Sequence, residues 1–412
     1  MAHINYTRQV ETANRMPLSH LLPSNKTSGN FAVFCGSHNL RSNVAMQFLR
    51  QYVGKIGIIF IHNSPTIASD LQQLSRDNPN VHLYYTSSQL HSYDPLYGLS
   101  KERVIDAILP HQPNQLNYQT IITLRDRLRD YLDIIEYQYN QDNHIFGDFP
   151  YNLDILYQLI QMPYSVLERE VLDFLPTYMC AQKKTNLSAP SVQLDLGAAV
   201  RNFAAMAQVH LWTPTNAVQH TRLSITSAVK SRSIISIHVH NSNAQLLDYI
   251  SLELDELDSL ETPYLLVECG LDLASPNSSH KMASRFFNEH STTNYRTGII
   301  TESPITVKAH DSDNIGNIFS SYREIVILSC TDTSAADLFT NEMNTYIRRA
   351  QTTDSNKSRR AFTILPTLTK GKQIHEVEEK NIRSDELARL GNGAIICGLN
   401  HSVPLIINNL IV

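Results

Sequence analysis

Residues Phe31 to Ser42, FAVFCGSHNLRS, are the stretch whose residue types and spacing come closest to phosphate chemistry: an apolar run, a turn-prone segment, then an amphipathic run from Asn43. A loop that cradles nucleotide phosphates reads G-x-x-x-x-G-K-[ST]. Its glycines let backbone N–H groups face phosphate, its Lys reaches the outer phosphates, and its hydroxyl holds magnesium. Setting Arg41 and Ser42 on the K-[ST] pair puts Cys35 and Leu40 at the glycine positions, with Gly36, Ser37, His38 and Asn39 between them. Ser42 keeps the hydroxyl; Arg41 keeps a charge without the compact geometry of an ammonium. A Cβ at Leu40 crowds the backbone where phosphate would lie, and non-glycine residues resist the φ angles such a loop uses. The stretch predicts a nucleotide-binding architecture that has lost the usual mode of nucleotide binding. Arg41 then either binds phosphate through its fork or forms a salt bridge on the first helix turn.

Two further patterns carry related chemistry. Phosphoryl-transfer sites place acids after an apolar strand, one for the magnesium shell and one to orient water. Here Tyr264 to Val267 supplies the apolar run, Glu268 stands at the first acid, and Cys269 stands where the second belongs. A thiol cannot do that job. Glu268 reads equally as a residual magnesium-shell acid or as an acid at a strand's carboxyl end, where open parallel sheets place their crevice. The segment TGIITESP ends its strand on Glu302. Arg285, Arg296 and Arg323 are candidates for an arginine finger. His238-x-His240 has no fixed third ligand nearby, so no metal site is expected. Lys357, Arg359, Arg360, Lys370 and Lys372 read either as a solvated loop or as a contact for a nucleic-acid backbone or acidic partner.

The elements that must position these residues follow from periodicity. Phe31–Phe34 and Lys55–His62 read as buried parallel strands around a helix over Asn43–Tyr52. Val81–Thr86 is a third strand candidate, and Ser100 is placed to cap a helix over Lys101–Leu109. From about Asn117 to Ala207 the period becomes helical, punctuated by Pro113, Pro150, Pro163, Pro176 and Pro190. Strands return at Ser233–His240, Tyr264–Glu268, Thr297–Thr301 and Glu324–Ser329, with helices at Asn243–Leu257 and His280–His290. A helix at Ala335–Ala350 leads into the polar loop TTDSNKSRR, and Ala394–Gly398 with Pro404–Val412 reads as a closing hairpin. The expected organisation is a polar arm over 1–30, an α/β core over 31–110 and 208–412, and an all-helical insertion over 111–207.

At 412 residues and 42% hydrophobic composition a sizeable core is available, and a formal charge of −5 gives no global basic field for nonspecific nucleic-acid binding. The five cysteines form no C-x-x-C pair and read as reduced thiols. No run approaches a membrane span, so a cytoplasmic protein without direct membrane insertion is expected.

Taken in order, these segments resemble the FtsK/HerA-like P-loop translocase superfamily, closest to the coupling ATPases of conjugation and type IV secretion. FAVFCGSHNLRS matches the phosphate loop, YDPLYGLSKERVIDAIL the post-strand segment, TPYLLVECG the Walker B strand, and NYRTGIITESP the strand usually ending in T-Q-S-P. SDELARLGNGAIICGLNHSVPLII matches the closing hairpin, and the helical block sits where coupling proteins insert an all-α domain. The resemblance implies a RecA-like P-loop core, mostly parallel and flanked by helices, in a ring-forming ATPase that moves DNA or protein. Glu302 replaces the sensor Gln, Cys269 the second Walker B acid, and Arg41 the Lys. Such joint loss implies a noncatalytic subunit or scaffold of a translocation machine, with an active ATPase homologue or another component of the complex as partner. No cofactor is then expected, ATP and magnesium entering only if the degenerate site still binds. Two alternatives stand beside it: a divergent, active, DNA-stimulated ATPase using Arg41, Ser42 and Glu268, and a binding module that holds its partner through the helical insertion. The last predicts that deleting 110–207 removes partner binding while the core stays folded.

Overall fold

The computed structural model describes residues 8, 10–17, 20, 30–78, 83–85, 91–110, 118–142, 148–207, 221–239, 244–260, 262–271, 280–287, 295–302, 322, 324–329, 336–337, 339–340, 345–358, 367–398 and 401–411. They group into two compact units, one of residues 1–41 with 301–412 and one of residues 42–300.

The second unit is built on parallel strands in the order Tyr295–Thr301, Tyr264–Cys269, Gly57–His62, Ile234–His238, Leu83–Tyr85. Gly57–His62 and Tyr264–Cys269 are buried at every residue, which explains their unbroken apolar runs: a parallel sheet is covered on both faces. Helices Pro65–Asp77, Ala244–Ser259 and His280–Phe287 make the crossovers between successive strands, as parallel pairing requires.

Between Leu83–Tyr85 and Ile234–His238 lie the helices Lys101–Ile108, Tyr118–Gln141, Leu153–Gln161, Tyr164–Glu170, Thr177–Leu187 and Pro190–Met206. The prolines act as start signals, with Pro163 and Pro176 at N-cap positions and Pro190 in the first turn. Asn152 caps its helix by accepting from the N–H groups of Asp154 and Ile155. Ser100 stands at the expected N-cap, but its side chain makes no cap bond; its backbone N–H donates to Glu256. The helical block shares one hydrophobic cluster with Leu96, Val104, Ile105 and Leu252. Buried Asp94 joins the two stretches, accepting from the N–H groups of Leu96 and Leu153. Deleting 110–207 would therefore strip packing from residues outside the deletion, and the unit is not expected to survive it intact.

The first unit carries the strand order Glu11–Ala13, His401–Ile407, Ala394–Gly398, Glu324–Ser329, Phe31–Cys35. Phe31–Cys35 runs parallel to Glu324–Ser329, and the expected closing hairpin joins that sheet antiparallel. The polar lead-in contributes structure: Glu11–Ala13 pairs with Leu405–Ile407, and Arg8 binds Glu386 at 2.6 Å.

One expected element is different. Of the helix placed over Ala335–Ala350, only residues up to Thr340 are helical among those described, and Thr345–Ser358 is a strand paired antiparallel with Thr367–Lys380. The β-branched and aromatic residues Thr345, Tyr346 and Ile347 favour this ribbon, which also satisfies the backbone of Thr352–Ser358, expected to be loop. Arg359 and Arg360 lie outside the described residues.

Candidate functional site

The strand Phe31–Cys35 delivers the chain to the candidate phosphate loop, and the helix His38–Tyr52 begins three residues later. Only Gly36 and Ser37 lie between them. His38, Asn39, Leu40, Arg41 and Ser42, all aligned with the phosphate loop, are helical instead. The Arg41 N–H donates to the Ser37 carbonyl at 2.9 Å, so it is spent on the helix rather than offered to a ligand. Ser42 is the fifth helical residue and buried, one turn inside the helix rather than at its tip.

Arg41 and Glu302, the two charged replacements, form an ion pair, Nη2 to Oε2 at 3.6 Å. The guanidinium is 14% exposed and the carboxylate 54%. Beside them the buried Cys35 thiol donates to the Ser37 carbonyl, and burial raises its pKa. Residue-by-residue alignment missed this pair; opposite charges at two replaced positions were the signal.

In the second unit Glu268 is buried at the carboxyl end of its strand. Its Oε2 accepts the Leu271 N–H at 3.0 Å, closing the turn made by Gly270 at a φ of +73°. The Asn63 amide steadies the same turn, donating to the Gly270 carbonyl at 2.6 Å. Part of the carboxylate thus has a structural duty. Cys269 is buried beside it.

The strand register also sets His238, His62 and Cys269 side by side. The imidazoles of His62 and His238 stack with centroids 5.1 Å apart. His62 Nδ1 accepts the Ser64 N–H at 3.2 Å, which leaves the proton on Nε2, 2.9 Å from Ser236 Oγ. Burial, then the neighbouring His238, push the His62 pKa down to about 3 from 6.5. The unfolded chain therefore binds a proton that the folded chain refuses between those values, and stability drains away as pH falls from 6.5 toward 3. Between pH 7 and pH 5 the group removes about 2 kcal/mol. Urea unfolding of His62→Gln is expected to show a shallower acid limb than the parent; equal limbs would place the acid sensitivity elsewhere. Among the described residues no cluster of three or more His, Cys, Asp or Glu side chains could hold a metal ion, and His240 lies outside them.

The finger candidates separate. Arg285 is buried and engaged by Asp258 at 2.9 Å, by Asp255, by the Tyr264 hydroxyl at 3.3 Å and by the Tyr295 ring. Arg296 is half-buried, and Arg323 lies outside the described residues. Among the described residues Cys35, Cys269 and Cys397 are buried and Cys180 half-buried, none of them in a disulfide, and Cys330 lies outside those residues. No described helix is long and apolar enough to cross a membrane.

No protein-family model matches the sequence, and no curated protein sequence matches it. Solved structures do match the fold. The bacterial conjugative coupling protein TrwBdeltaN70, in a trigonal form with sulphate, is similar with a TM-score of 0.50, at 11% identity, over 99% of this chain and 95% of its own. The plasmid coupling protein TrwB with a non-hydrolysable ATP analogue gives 0.46, at 11% identity, over 99% and 95% of the two chains. VirB4 of Thermoanaerobacter pseudethanolicus gives 0.41, at 14% identity, over 83% and 89%. The chain has the RecA-like P-loop fold of a conjugative coupling protein along nearly its whole length.

Proposed function

We propose that this chain is a noncatalytic, RecA-like subunit or scaffold of a DNA- or protein-translocation machine, working beside an active ATPase relative. The observation that carries the proposal is the two-residue turn Gly36–Ser37: with the helix already begun at His38, too little loop remains to wrap a phosphate chain in backbone N–H groups. The other replaced positions agree, each within its own unit. Arg41 is paired with Glu302, one oxygen of Glu268 closes its own turn, and a buried thiol, Cys269, stands in place of the second acid. The coupling-protein fold supports the setting, since a conjugative coupling protein shares it. ATP and magnesium have no expected role in this subunit, and DNA would reach it as cargo of the assembly.

The purified chain is expected to show no magnesium-dependent ATP turnover above background, with or without DNA, and Glu268→Gln is expected to change nothing. Turnover that Glu268→Gln abolishes would favour a divergent active ATPase instead.

A second reading rests on the helical block, where a cavity of about 550 Å³ opens between Tyr137, Gln141, Ile155, Leu159 and Met162. Phe174, which lines it, is 75% exposed. Gln138, Asp142 and Gln158 also line it, and a hollow of mixed polar and apolar lining with an exposed aromatic at its rim suits a docked protein segment. On this reading the subunit contributes partner binding, and Gln141→Trp, which narrows the hollow from its lining, weakens that binding in a protein whose thermal midpoint is unchanged.

A further inference from the structure

Arg41 and Glu302 occupy two positions at which, on the resemblance, a nucleotide phosphate would meet the protein, and here they meet each other at 3.6 Å. That separation is beyond ordinary N–H···O hydrogen bonding, so the contact is ionic and loosely held rather than a closed fork. Arg41 Nε, on the same edge of the guanidinium as Nη2, is buried and has no hydrogen-bond partner among the described residues. An Nε–Nη2 edge with one donor unused and the other weakly engaged is the geometry that takes a phosphate or carboxylate through two parallel hydrogen bonds. The carboxylate that fills it is over half exposed and can be displaced without disturbing a core.

We propose that Glu302 is a built-in oxyanion: its carboxylate stands in for phosphate at Arg41 and closes a latent site for phosphate-type anions. This rests on the reading that the loop no longer holds nucleotide in the usual way, and it names what keeps the site shut. The described charges at the site cancel, one guanidinium against one carboxylate, with the Cys35 thiol beside them. An incoming polyphosphate meets no net attraction and a like charge at close range. Removing that one carboxylate leaves an uncompensated guanidinium at the first turn of a helix, where the backbone dipole also favours an anion.

The test titrates inorganic pyrophosphate, and separately ATP, into the full chain, Glu302→Gln and the double variant Arg41→Gln/Glu302→Gln, with thermal unfolding confirming that each is folded. Glu302→Gln is expected to bind pyrophosphate at least tenfold tighter than the parent chain, and the double variant to lose that gain. A matching gain with ATP supports a site that reads phosphate alone. No gain in a folded Glu302→Gln, a gain that survives Arg41→Gln, or a gain for ATP without one for pyrophosphate would each overturn the proposal. Glu302→Ala serves as the second variant; if neither folds, the proposal is overturned, because a displaceable lid cannot be essential to the fold. Each arm reads a difference from the parent chain, so tight nucleotide binding by the parent would sink the functional reading separately.

Discussion

Replacing Lys183 by methionine is expected to lower the unfolding free energy by about 3–5 kcal/mol. Lys183 is 4% exposed, and its ammonium donates to Asp130 at 2.6 Å and to Asp133 at 2.5 Å. Burial alone would raise the Asp133 pKa, but hydrogen bonds from Lys101 and Lys183 more than reverse it, and the carboxyl is held below its usual value. Methionine keeps most of the apolar stem and removes the charge, leaving two carboxylates one helical turn apart in a poorly hydrated site. Asn186 and Arg127 remain near Asp130, and Lys101 near Asp133, so the lower end of the range is the better expectation. Urea unfolding gives the value directly, and adding Asp130→Asn should recover part of the loss. A loss below about 1 kcal/mol would show the network behaving as a hydrated surface pair. Because the helical block shares its cluster with Leu96 and Leu252, the loss should appear in the cooperative transition rather than as separate early melting.

The second large effect concerns Arg285. Arg285→Gln is expected to cost about 2–4 kcal/mol, discounted from the value for a fully buried pair because Asp255 and Asp258 keep partial access to water. The guanidinium joins the helix Ala244–Ser259 to the strands beginning at Tyr264 and Tyr295, whose rings stack at 5.0 Å. A finger must leave its own subunit to stabilise charge on a neighbour's nucleotide; this one is committed at home. The variant should therefore lower the thermal midpoint and leave any activity of an assembled complex unchanged once the protein is folded. Loss of complex activity at unchanged stability would restore the finger reading.

Both networks mark where sequence reading stops. The buried strands were legible because a parallel sheet covered on both faces demands unbroken apolar runs, as in Gly57–His62 and Tyr264–Cys269. Helix starts were legible where proline marks them, at 163, 176 and 190. The ribbon was not, because Thr345–Ala350 owes its conformation to a partner more than fifteen residues away. The candidate phosphate loop was legible as residues and not as conformation. Losing glycine at Cys35 and Leu40 predicts a poor cradle, but the advance of the helix to His38 depends on how the whole turn packs. The Arg41–Glu302 pair spans most of the chain and surfaces only when two separate motifs are brought together. His62, a buried imidazole fixed in one tautomer by backbone and Ser236, has no sequence signature at all.

Calorimetric titration of magnesium ATP into the purified chain tests the central claim most directly. With a two-residue turn before the helix and Arg41 answered by Glu302, no saturable binding is expected below a Kd on the order of 1 mM, an affinity of only about 4 kcal/mol. Micromolar, magnesium-dependent binding that weakens at least tenfold in Glu268→Gln would contradict the account, because it would mean that the altered residues still assemble a working nucleotide site.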